Sequence, residues 1–204
     1  MTFVKSVTLE VSDPLAAKAF YTAAFGVDVD VRASDAETTG FRAFTMSLVV
    51  SQPSTVDSLV GTALEAGATP LKPVSKSFWG YGGSVLAPDG AIWKVATSSK
   101  KETGPATRKV DDIALLLGVA DVKATKQFYV DRGFPVGKSF GSNYVEFATT
   151  PASHVKLALY GRRALAKDAG VPPDGSGSHR IVIDNDAGSF TDPDGFAWQA
   201  APAV

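Results

Sequence analysis

The sequence predicts an α+β fold of two tandem modules. Three observations carry that expectation: an internal repeat, a duplicated turn motif and a polar stretch between the copies. SVTLEVSDPLAAKAFY (6–21) lies without gaps over ALLLGVADVKATKQFY (114–129), so Asp13 falls on Asp121 and Phe20-Tyr21 on Phe128-Tyr129. Farther on, Pro88-Asp89-Gly90 with Trp93 matches Pro193-Asp194-Gly195 with Trp198. Ordered pairs at nearly equal spacing indicate a duplicated unit. TSSKKETGPATRK (97–109) is polar and reads as a solvated linker, which gives modules at 1–96 and 110–204.

The elements follow in order. An apolar, β-rich run opens each copy and ends at Asp13 or Asp121. An aspartate there accepts the free N–H groups of a helix start, and Pro14 suits the first helical position. Ala16, Ala19, Phe20, Ala23 and Ala24 share one helical face, and Gly26 is placed to close the helix. PSTVDSLVGTALEAG gives a second helix in the first copy, with Ser54 and Asp57 as a capping pair and Gly67 as the stop. The second copy instead offers GRRALAKDAG (161–170), a Pro- and Gly-rich loop, and a strand HRIVID (179–184).

Composition narrows the function classes. Twenty Lys and Arg against 21 Asp and Glu leave a net charge of −1, which supplies no footprint for nucleic acid or an anionic membrane. The N-terminal residues lack a signal-peptide pattern and no apolar run would span a bilayer, so a cytoplasmic protein is expected. With no cysteine, disulfides and thiolate chemistry are excluded.

The strand-Asp-helix openings ending in Phe-Tyr, and the two Pro-Asp-Gly-x-x-Trp hairpins, resemble the vicinal oxygen chelate superfamily, which includes glyoxalase I, extradiol dioxygenases and bleomycin-resistance proteins. The resemblance implies βαβββ modules paired into a cupped, barrel-like sheet with helices outside and a pocket within. Metal-dependent members carry His, Gln or Glu seven residues before the capping Asp, and Glu directly after the hairpin Trp. The matching positions here are Ser6 and Ala114, and Lys94 and Gln199. Alanine offers no donor and an ammonium repels a cation. The expected site therefore has no metal and no other cofactor.

Residues two apart on a strand share a face, so Thr8 and Glu10 join Ser6, and Asp112 joins Ala114. Lys94, paired with Glu10 or Asp112, is expected to stand where a metal stands elsewhere. Ser6, Thr8, Asp112 and Gln199 are the candidate polar contacts, and Trp79 in SFWGYGG is the candidate aromatic one. Trp93 and Trp198, one step off the inward position, should face the helices. His179 with Asp112 and Gln199 is the alternative, a degenerate iron site; no motif claims His154. Three functions follow as expectations. The leading one is metal-independent binding of a small, aromatic organic molecule by a monomer or homodimer. The others are a glyoxalase- or dioxygenase-like enzyme with Glu10 as base and Lys94 as stabiliser, and an interaction protein with a closed pocket.

Overall fold

A computed structural model of the chain describes residues 1–78, 80–151 and 153–201. Strand β1 (Val4–Val11) runs to Asp13, whose carboxylate accepts the N–H groups of Leu15 and Ala16 at 3.0 Å each and starts helix α1 (Pro14–Phe25). Gly26 closes it in the left-handed conformation, φ +67°. The buried face is Ala17, Phe20, Tyr21, Ala24 and Phe25, so the alanine stripe through Ala16, Ala19 and Ala23 is corrected. The large rings, not the alanines, decide which side turns inward, because they carry far more apolar area.

Two short strands, β2 (Asp30–Ala33) and β3 (Thr38–Gly40), lead to β4 (Phe44–Val49), α2 (Pro53–Glu65), β5 (Thr69–Ser77), β6 (Gly80–Leu86) and β7 (Ile92–Thr97). The expected Ser54–Asp57 capping pair does not form. Glu102 of the linker accepts from the Ser54 N–H at 3.1 Å and its hydroxyl at 2.7 Å, while Asp57 accepts the Tyr81 hydroxyl at 2.8 Å. Gln52 also holds the linker, through the Thr103 N–H at 2.7 Å and the Pro105 carbonyl at 2.8 Å. The polar linker is thus docked as a cap for α2.

The second copy opens with β8 (Asp112–Val119), Asp121 capping α3 (Val122–Val130), then β9 (Val136–Phe140), β10 (Tyr144–Phe147) and β11 (Lys156–Gly161). A fourth helix, α4 (Arg162–Ala169), and strands β12 (Gly175–Gly177), β13 (Ile181–Asn185), β14 (Phe190–Thr191) and β15 (Ala197–Ala200) complete the described chain.

Eight strands form one cupped sheet in the order β5-β6-β7-β4-β8-β11-β10-β9. It holds two complete βαβββ units, β4-α2-β5-β6-β7 and β8-α3-β9-β10-β11, joined where β4 and β8 pair antiparallel. In each unit the first and last strands run parallel. Five of the remaining strands form a second sheet, β14-β15-β13-β1-β2, and β3 pairs with β12 in a two-stranded one. Each copy therefore supplies one complete unit and one partial unit, and the chain's first strand pairs with its last segments. Only a short turn separates β13 from β14, which leaves no room for a helix.

The Phe-Tyr and Pro-Asp-Gly-x-x-Trp signatures are halves of one packing device. Tyr21 donates to Asp89 at 2.5 Å and accepts the Trp93 indole N–H at 3.2 Å, all beneath α1. In the second copy Tyr129 donates to Asp192, while Asp194, the repeat partner of Asp89, takes the Ala120 N–H and the Thr125 hydroxyl at 2.7 Å each. Trp93 and Trp198 are buried in the core that the two sheets share with α1, α2 and α3. Helix α4 departs from the outside placement. Its Leu165, Ala166 and Ala169 pack with Ile92 and Phe41 in a separate cluster bordered by Leu116, Leu86 and Tyr160, on the concave face of the eight-stranded sheet.

Candidate functional site

Strand alternation puts Trp93 and Val95 into the helix-covered core and turns Lys94 to the concave side. Pairing register aligns Lys94, Ser47, Ala114 and Lys156 in one row across β7, β4, β8 and β11. Helix α4 meets that row at Lys94. Lys94 Nζ meets Asp168 Oδ2 at 2.5 Å, Lys72 Nζ donates to the Asp168 carbonyl at 3.3 Å, and the buried Ser84 hydroxyl donates to the Ala169 carbonyl at 2.7 Å. Cations and a hydroxyl at a helix C-terminus satisfy its open carbonyls and complement its dipole. Gly118 permits the approach, since a β-carbon there would stand 3.2 Å from both Arg162 Cα and Leu165 Cδ2.

The expected partnership of Lys94 with Glu10 or Asp112 is therefore corrected: all three residues pair elsewhere. Asp112 accepts from Lys156 at 2.7 Å, beside an open groove that also includes His154. Glu10 lies in the other sheet and binds Arg32 through two contacts at 2.7 and 3.0 Å. There a second row repeats the geometry: Ser6, Asp184 and Gln199 align across β1, β13 and β15. Asp184, 5% exposed, accepts the Ser6 hydroxyl at 2.5 Å and the Gln199 amide at 2.6 Å. Thr8 and Glu10 continue this face along β1. Sequence reasoning missed Asp184 and Ser47, the middle members of the two rows. The available signal for Asp184 was a carboxylate ending the apolar run IVI.

Among the described residues, neither row gathers three His, Cys, Asp or Glu side chains. One offers two ammonium groups, a serine and an alanine. The other offers a single carboxylate whose two oxygens are both engaged. His179 does not join Asp112 and Gln199 as ligands. Its Nδ1 faces the Arg42 carbonyl at 2.8 Å, its Nε2 the Asp194 carbonyl at 3.0 Å, and its ring stacks on Phe196 with centroids 4.0 Å apart. Both nitrogens are occupied by backbone contacts. Trp79 lies outside the described residues.

Beside α4 the cup keeps one apolar cavity of about 330 Å³, lined by Phe41, Phe44, Leu71, Leu86, Ile92 and Val171, with Arg42 and Asp174 as its charged groups. Over the five-stranded sheet lies a more polar cavity of about 420 Å³, bordered by Glu10, Arg32, Arg42, Arg162 and His179. Phe41 and Arg42 form a wall common to both. No helix among the described residues is long and apolar enough to cross a membrane.

No family model matches the chain, and no curated protein matches its sequence. Solved structures do. Glyoxalase I from Zea mays superposes with a TM-score of 0.62 at 13% identity, covering 97% of this chain and 91% of that one. A putative dioxygenase from Bacillus subtilis subsp. subtilis str. 168 gives a TM-score of 0.53 at 13% identity, over 89% and 69%. At these identities the likeness concerns architecture, and it extends over nearly the whole length of the described molecule. The chain has the fold of the vicinal oxygen chelate superfamily.

Proposed function

We propose that this protein is a metal-independent binder of a small organic molecule, taken up in the apolar cavity between the segment that follows α4, the β3–β4 turn and the β6–β7 hairpin. The observation that carries the reading is the pairing of Lys94 with Asp168 of α4, beside a cavity still open. A volume of about 330 Å³, apolar walls and one or two charged groups match what a small ligand needs. The neighbours in structure are a glyoxalase I and a putative dioxygenase; here Glu10 and Lys94 lie in different sheets, and each is engaged by another side chain, Arg32 and Asp168. A broad ligand screen by thermal shift on the intact chain tests the proposal: saturable stabilisation is expected. A screen without any shift would favour the second reading, an interaction protein with a closed pocket, to which the α4 plug gives specific support.

A further inference from the structure

The wall common to both cavities is a stretch of non-regular backbone held from several sides. Between β3 and β4, three consecutive carbonyls are fixed by three different parts of the chain. Arg162 of α4 donates to Phe41 O at 3.2 Å, the His179 ring meets Arg42 O at 2.8 Å, and the Gly118 N–H of β8 donates to Ala43 O at 2.6 Å. Phe41 N–H in turn donates to Asp174 O at 2.9 Å. Ala43 is held at φ +59°, a left-handed conformation that a non-glycine residue adopts only where its surroundings over-determine it. Such strain, fixed from several sides, marks a residue being presented. The residue at its centre is Arg42.

The guanidinium of Arg42 lies against the Pro88-Asp89-Gly90 turn. Its Nη2 donates to the Asp89 carbonyl at 2.8 Å, and a β-carbon on Gly90 would sit 2.4 Å from that same nitrogen. The Asp89 carboxylate is already held by the Tyr21 hydroxyl at 2.5 Å and the Ala91 N–H at 2.9 Å. The ion pairs among the described residues include neither Arg42 nor Arg162. Burial pulls the Arg42 pKa below its ordinary value; the Asp89 charge opposes this, and the Arg180 charge adds to it. A half-buried cation without an ion-pair partner, at the edge of an apolar cavity, is stabilised by an incoming anion.

We infer that Arg42 is an anion receptor, and that the ligand class of this cavity is a monocarboxylic acid whose apolar body lies against Phe41, Leu86 and Ile92. One guanidinium in apolar surroundings balances one negative charge, whereas a doubly charged phosphate would leave an excess charge desolvated. The fork of the guanidinium matches a carboxylate. Asp174, the one carboxylate on the cavity wall, is exposed at the mouth, where water screens it.

The inference rests on the binding reading above, and calorimetric titration of the intact chain with 3-phenylpropionate and with its neutral amide separates the two. The acid should bind tighter by about tenfold or more. Arg42→Gln should erase that difference and Arg42→Lys should keep part of it. Asp174→Asn should widen it, and Arg163→Gln, exposed and outside this cavity, should leave it unchanged. Circular dichroism and a cooperative thermal transition confirm that each variant folds. If Arg42→Gln fails to fold, the acid–amide comparison on the unaltered chain still decides. Equal binding of acid and amide overturns the anion receptor while leaving the cavity a binding site. A difference that survives in folded Arg42→Gln overturns it too. If neither compound binds, the inference fails, and the binding reading is judged by its own screen.

Discussion

Lys94 shows how one side chain's partner decides what a site can do. Its ammonium and the Asp168 carboxylate are about a third exposed, at 30% and 36%, so water screens the pair and its removal should cost modestly. Lys94→Met is expected to lower stability by about 1 kcal/mol or less, read by urea denaturation. Tyr144 makes a different residue-scale prediction. Burial first, then the charge and hydrogen bond of Glu146, push its pKa from 10.0 up to about 12. The folded state holds this proton more tightly than the unfolded chain does. The contribution is thus whole below pH 10 and is lost as pH rises toward 12. Unfolding midpoints should fall across that window, and Tyr144→Phe should flatten the fall; an unchanged slope would contradict the assignment. The inward turn of Lys94 was legible in the sequence because strand alternation fixes it. Its partner was not, because Asp168 reaches it from a helix that only the tertiary fold places over β7.

Helix α4 is the element that separates this molecule from an open cup. Only eight residues long, it would be marginal by itself, so its place depends on packing. Leu165→Ala, at a position 1% exposed, should cost about 2–5 kcal/mol through lost burial and the cavity left behind. Gly118→Ala should also destabilise, because the new methyl meets the Ala43 carbonyl at 3.0 Å as well as α4. Hydrogen exchange localises both effects: amides of α4 and the 171–178 loop should lose protection before those of β8 do. The sequence marks the second copy's half as rearranged, since GRRALAKDAG has no counterpart in the first. Periodicity alone gives a short helix with a Leu165-Ala166-Ala169 stripe but does not say which surface that stripe meets. The capping of α2 shows the same limit, where Glu102, distant in sequence, replaced the local Asp57.

Across the whole molecule, duplication explains the fold and its loss of symmetry together. The repeat identified both hairpins and both helix caps. It did not reveal that complete units sit in the middle of the chain while partial ones meet at its ends, because that depends on strand pairing across the largest sequence separations, β1 with β13. One hydrophobic cluster nonetheless links both sheets, so unfolding should be a single cooperative transition by fluorescence and circular dichroism alike. Two rows of side chains cross the two sheets. One meets α4 through Lys94 at its end, and the other is tied together by Asp184. Native mass spectrometry of the chain purified without a metal-binding tag, before and after incubation with zinc, nickel, manganese or iron(II), tests the central claim most directly. The account predicts the mass of the chain with no stoichiometric divalent ion and retention of a small organic acid when one is supplied; a single tightly held metal ion would contradict it.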